Sequence, residues 1–117
     1  HVSTLEDWEL LFEELGEDRS EIGAILKEEG NANWIAPNNG TDDIGFAARA
    51  GGVRVHYVDP NLPNGFDHYT LYAYFFTASR DSLSDKPFAF RIKNNESNIQ
   101  QLNLTSLSGA SVRCVEN

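Results

Sequence analysis

The chain has 117 residues, with 9 basic and 18 acidic side chains and a net charge of −9 at neutral pH. That length fits one domain with one core, and an apolar content of 40% excludes wholesale disorder. An acidic chain repels phosphate backbones, which argues against nucleic-acid binding. No stretch approaches the roughly 20 apolar residues that a membrane span needs.

The charge is uneven. Residues 1–30 hold ten acids and two bases, whereas residues 31–117 hold eight acids and seven bases. The acidic segment reads as a solvated helix face that promotes solubility; an acidic docking surface is the alternative. Thr4 is a good helix N-cap, and Asp7 falls where an acid can serve the free amides of the first turn. Leu5, Trp8, Leu11, Phe12 and Leu15 recur at helical spacing, and Gly16 suits the C-terminal stop, so residues 5–15 are predicted as an amphipathic helix. Ser20 is placed to cap a second helix, with Ile22, Ile25 and Leu26 on its apolar side and Gly30 as its end.

Residues 31–45 carry the Asn, Asp, Gly and Pro of a loop. Trp34 inside that loop is read as a pin onto the core, with an exposed ligand platform as the alternative. Gly51-Gly52 permits a tight turn before a strand over 53–58. Residues 59–68, with Pro60, Pro63 and Gly65, form a loop. Leu71 to Ala78 is an aromatic run expected in a central strand buried on both faces. Phe88, Phe90 and Ile92 alternate with Ala89, Arg91 and Lys93, the pattern of a half-buried strand. A polar turn over 94–98 leads to a returning strand over 99–104, and a short strand over 111–115 closes the chain. Helices first and antiparallel strands after make the fold α+β rather than alternating α/β.

The ordered landmarks are His1-Val2-Ser3-Thr4, Asp7-Trp8, Leu15-Gly16, Leu26-Lys27, Trp34, Gly45-Phe46 and Gly51-Gly52-Val53-Arg54. Phe75-Phe76-Thr77-Ala78-Ser79 and a closing Ser111-Val112-Arg113-Cys114-Val115 complete them. Over nearly its whole length the chain resembles the Fibrobacter succinogenes major paralogous domain, found in secreted proteins and lipoproteins of Bacteroidetes and Fibrobacteres. The resemblance implies one C-type-lectin-like domain over residues 1–117, with two N-terminal helices packed on a twisted antiparallel sheet and the two termini meeting. The family's start, a Cys shortly before the His, is missing here, so the domain is read as truncated at its N-terminus. Where the family has a Trp-Trp-Ser-Ser-Thr-like run, this chain keeps the aromatic bulk and Thr77 but has Ala78. Ser3 replaces a usual Pro.

Cys114 is the single cysteine. In its strand pattern it reads as a buried inert thiol or as half of a disulfide whose partner lies upstream of this chain; the resemblance implies the second. The abrupt start without Met reads as an excised domain or processed segment, and the resemblance places it in an extracytoplasmic surface protein or lipoprotein.

Each site candidate competes with a plainer reading. Asp59-Pro60-Asn61 looks like the calcium triplet of C-type lectins, but the Trp-Asn-Asp-like run of the second half-site is absent, so a turn is expected. Asp42-Asp43 reads as a turn as well. His1, His56 and His68 lack zinc spacing. Asp67, His68 and Ser79 supply the letters of a triad without its strand–turn–helix context. No cofactor motif and no metal set are found, and a non-catalytic domain is expected. Asn94, Asn95 and Asn98 are explained by turn chemistry, and the sequons at Asn39, Asn95 and Asn103 by the abundance of Asn. The favoured site is the 57–69 region, where Tyr57, Asn61, Asn64, Asp67, His68 and Tyr69 combine flat apolar faces with paired donors and acceptors. Recognition of a glycan is the first expectation. A protein-binding adhesion module and a purely structural module are the alternatives.

Overall fold

In a computed structural model, residues 1–16, 19–55, 60–61 and 65–117 are described. Thr4 accepts the amide of Asp7 and the Asp7 carboxylate accepts the amide of Thr4, closing a capping box at the start of α1 (Leu5–Leu15). Gly16 ends the helix in the left-handed region at φ 66°. The stripe faces inward as its spacing predicts: Trp8 and Phe12 are buried, and Leu5, Leu11 and Leu15 pack against the same cluster. Ser3 is buried, and its hydroxyl accepts the indole N–H of Trp8 at 2.9 Å.

The second helix, α2 (Arg19–Leu26), is shorter than its composition suggests. Ser20 lies inside its first turn rather than capping it. The helix stops at Leu26 rather than Gly30, because Lys27 leaves the helical path to form a parallel bridge with Ala48. Gly23 lets α2 approach the 97–98 turn: a Cβ there would lie 2.1 Å from the Asn98 carbonyl oxygen.

Six strands follow. They are β1 (Val53–Arg54), β2 (Phe66–Asp67), β3 (Tyr72–Arg80), β4 (Pro87–Lys93), β5 (Gln100–Asn103) and β6 (Ser111–Val112). The first two form a small antiparallel ribbon, so part of the expected 59–68 loop is strand, with Phe66 opposite Arg54. The other four form one sheet in the order β5-β4-β3-β6. The chain is therefore α+β, with two helices, a four-stranded sheet and a two-stranded ribbon among the described residues.

The expectation of an all-antiparallel sheet is corrected. β6 runs parallel to β3, pairing Ser111 with Phe75 and Val112 with Phe76. After β5 the chain crosses to the far side of β3 through residues 104–110 instead of turning back in a hairpin, so the sheet is mixed. β3 is an interior strand, and its consecutive residues Ala73, Tyr74 and Phe75 are all buried.

One face of the sheet carries the core. Trp8 sits with its ring centroid 5.0 Å from Phe90, 5.7 Å from Phe75 and 5.7 Å from Phe46. Ile22 and Leu26 of α2 and Trp34 of the following loop complete it. Trp34 is 2% exposed and donates its indole N–H to the Ala48 carbonyl, so it pins the loop and offers no platform. The termini meet: Val2 bridges Cys114, Ser3 N–H donates to Arg113, and Val115 N–H donates to His1. Cys114 is exposed, which corrects the buried-thiol reading. Among the described residues, no helix is long and apolar enough to cross a membrane.

Candidate functional site

The favoured loop is described in part. Tyr57 and Asn64 lie outside the described residues, as do His56 and Asp59. Asn61 is exposed in a turn with Pro60. Asp67, His68 and Tyr69 come together at the end of β2, where the chain turns into β3.

This turn is tightly specified. Leu71 and Tyr72 both donate their N–H groups to the His68 carbonyl. Thr70 donates to Ala50, and Ile35 donates to Thr70. His68 and Thr70 both adopt positive φ, 59° and 67°. For Thr, which is β-branched, that conformation is strained, and such strain persists only where the surroundings enforce it. Gly52 supplies part of that enforcement. Its φ is 69°, and a Cβ on it would lie 2.4 Å from the Asp67 carbonyl oxygen.

His68 is held at one ring nitrogen and faces a carboxylate with the other. Nδ1 is 2.7 Å from the Tyr74 hydroxyl, and Nε2 is 3.6 Å from Asp67 Oδ2. The Asp67 carboxylate also accepts the His68 amide at 2.8 Å. The imidazole stacks on Tyr74 at 5.9 Å and 11°, and lies 4.6 Å from the Tyr72 ring. Arg91 and Lys93 reach over Tyr72 from β4, at 5.3 and 5.9 Å. Burial pushes the Tyr74 phenol above its usual range, and neighbouring Arg91 pulls part of that back. Tyr69 stands outside this cluster at 70% exposure. The arrangement is a fixed base with one free aromatic side chain beside a carboxylate and an imidazole.

Tyr72, Tyr74, Arg91 and Lys93 were not among the residues expected from sequence. The available signal was the i, i+2 spacing of Tyr72 and Tyr74, which puts both hydroxyl-bearing rings on one strand face. Cross-strand register then places Lys93 opposite Tyr72 and Arg91 opposite Tyr74.

The other candidates separate. Ser79 accepts the Leu5 amide at 2.9 Å at the start of α1, while His68 bonds Tyr74, so the triad letters serve different elements. Asp42 accepts the Ala47 amide within a turn. His1 contacts Asp7 and Asn117. Asn94, expected in a surface turn, is 4% exposed, and its amide donates to the Ile35 and Pro37 carbonyls, tying the first loop to the hairpin. Among the described residues, no three His, Cys, Asp or Glu side chains are grouped to hold a metal.

Recesses lined by described residues border the sheet margin. One of about 390 Å³ lies between α1 and the C-terminal strand, lined by Trp8, Leu10, Leu11, Phe46 and Val115 among others. One of about 420 Å³ is lined by Phe46, Arg49, Phe75, Ser111 and Arg113. One of about 340 Å³ is lined by Gly51, Gly52, Arg54, Phe66, Gly109 and Ser111.

No protein-family model, curated protein or solved structure matches this chain.

Proposed function

We propose that the chain is a non-catalytic ligand-recognition domain, and that its ligand is a glycan bound on the 65–70 turn. The observation that carries this reading is Tyr69, 70% exposed on a strained turn beside Asp67 and a His68 clamped by Tyr74. A flat aromatic face covers the apolar side of a pyranose, and adjacent carboxylate and imidazole groups pair with its hydroxyls. The polar groups are positioned before the ligand arrives, which reduces the entropy lost on binding. An exposed aromatic beside polar side chains favours a glycan over a protein partner, which a broad flat patch would suit better.

The reading places the chain in the Fibrobacter succinogenes major paralogous family, with a C-type-lectin-like fold and an extracytoplasmic location on a surface protein or lipoprotein. Three features support that placement. The capped α1 carries Asp7-Trp8 into the core, the Ser-Val-Arg-Cys-Val segment pairs with His1–Ser3, and Gly45-Phe46 packs on Trp8. In this reading Cys114, exposed beside Val2, pairs with a cysteine upstream of His1.

A glycan-array screen tests the proposal, run with Ca²⁺ and with chelator. Specific hits should appear and be lost in Tyr69→Ala. A blank array from protein shown to be folded by circular dichroism overturns the glycan reading. Loss of binding in chelator would bring Asp59-Pro60-Asn61 back as a calcium site.

A further inference from the structure

We propose a second binding site, for the carboxylated sugars of an acidic polysaccharide, in the trough between β1 and the C-terminal strand. The inference rests on the glycan reading and names a ligand class for a different surface. The recesses of about 340 and 420 Å³ adjoin at Ser111, which lines both, and together they make up the trough. Arg49, Arg54 and Arg113 line it, and among the described residues no Asp or Glu does. Three of the nine bases of a chain with net charge −9 are thus gathered in one place, where Glu28 engages Arg49.

The three arginines are not equivalent. Arg49 is drawn to Glu28 at 3.3 Å. Arg113 stacks over the Phe46 ring at 4.1 Å, which fixes the plane of its guanidinium. Among the described residues, the Arg54 guanidinium has no hydrogen-bond or ion-pair partner. A guanidinium presents paired donors that match a carboxylate in a two-bond fork.

The floor is made by absent side chains. Gly51, Gly52, Gly109 and Ala110 line the smaller recess. A Cβ on Gly51 would lie 3.2 Å from the Ser111 hydroxyl, and one on Gly109 would lie 3.1 Å from Arg54 Cβ. Phe66, the cross-strand partner of Arg54, projects on the same side and is 56% exposed. Aromatic face, unpaired guanidinium and small-residue floor match a flat ring bearing one carboxylate.

An acidic peptide fits less well. An extended peptide gains its affinity by joining an open strand edge. The β1 backbone has no open edge: β2 pairs with it on one side, and Arg54 and Gly109 exchange both backbone hydrogen bonds on the other.

The probe is polygalacturonate, a polymer of carboxylated pyranoses. Its fully methyl-esterified form and poly-glutamate serve as controls, and binding is read by affinity electrophoresis. The expected result is binding to polygalacturonate, at least about tenfold weaker binding to the ester, and about tenfold loss in Arg54→Gln. Arg54→Lys should recover only part of that loss, because an ammonium cannot make the fork. Equal binding to the ester, no effect of Arg54→Gln, or equally tight binding of poly-glutamate overturns the inference. Neutral-glycan hits lost in Tyr69→Ala, with polygalacturonate silent, overturn the trough and leave the turn site standing. Polygalacturonate binding lost in Arg54→Gln, with neutral glycans blank, does the reverse.

Discussion

On one face of β3, Ala73 and Phe75 join the ring cluster built around Trp8 and Phe90. On the other face, Tyr72 and Tyr74 meet His68, Arg91 and Lys93 through ring stacking, cation–π contacts and a hydrogen bond. The first face draws its stability from apolar area and shape, which tolerate no loss of volume. The second draws on directed polar contacts, which fix positions at a smaller net energy each. One strand thereby couples a stable core to a preorganised surface. Damage to the first face should unfold the domain, whereas damage to the second should loosen a turn.

Trp8→Ala breaks the first face at its centre. Trp8 contacts Phe12, Phe46, Phe75 and Phe90, and its indole N–H is satisfied by Ser3. The loss should be about 3–5 kcal/mol, enough to unfold a marginal domain. Chemical denaturation checks it, and a loss under about 1 kcal/mol would show that the core is centred elsewhere.

Lys27 joins α2 to the turn after β4 and sharpens the contrast, because it is a charge held inside the apolar region. Its ammonium donates to the carbonyls of Lys93, Asn94 and Glu96 and to the Asn39 side chain. Lys27→Met leaves those acceptors without their donor and should destabilise by about 1–3 kcal/mol. Burial lowers the Lys27 pKa to about 8 from 10.5, with Glu96 opposing. Between those values the unfolded chain holds the proton more often than the folded one, so this group makes stability rise with pH there. Below pH 8 both states are protonated and its contribution is flat. Denaturation at pH 8 and 10 should show a wild-type increase that Lys27→Met lacks, so the gap between the two proteins should widen with pH. A constant gap would refute the shift.

These contacts also show what a sequence reveals. The first helix was legible because cap, stripe and stop lie within a dozen residues and agree. The strands were legible because alternation marks a face. Alternation does not state which neighbour a strand takes or in which direction, so the parallel pairing of β6 with β3 was hidden. So was the early end of α2, which depends on Lys27 bridging Ala48, a pairing no local pattern announces. Within the candidate site, Asp67, His68 and Tyr69 stood out as adjacent polar and aromatic letters. Tyr74 did not, because in an aromatic run it reads as core, and it is in fact buried. Its hydroxyl becomes meaningful only once the turn brings His68 against it. The Arg49, Arg54 and Arg113 trough was hidden for the same reason, since its members are scattered along the chain.

Tyr74→Phe separates the two faces most cleanly. The ring and its burial remain, and only the hydroxyl facing His68 Nδ1 is lost. Global stability should fall by about 1 kcal/mol. Amide exchange at Tyr69 and Thr70 should accelerate by more than that fall explains, because the imidazole that props the turn is released. Equal effects at the turn and in the Trp8 cluster would show that the two faces are one cooperative unit.

The smallest effect is expected where the chain ends meet. Hydrogen bonds that the imidazole donates to Asn117 Oδ1 and to the Asp7 carboxylate raise the His1 pKa above 6.5. The Thr4 backbone and then His1 lower the Asp7 pKa below 3.8. The His1 contribution is therefore fully present below pH 6.5 and is lost as pH rises through its folded value. The Asp7 contribution is present above pH 3.8 and is lost as pH falls through its own folded value. Both operate between about pH 3.8 and 6.5, so His1→Gln should lower the melting temperature at pH 5.5 and leave it nearly unchanged at pH 8.5. Asp7 keeps its capping bonds to Thr4 in that variant, so α1 stays in place and only the clasp between the termini loosens. An equal drop at both pH values would mean that His1 acts by packing rather than by charge.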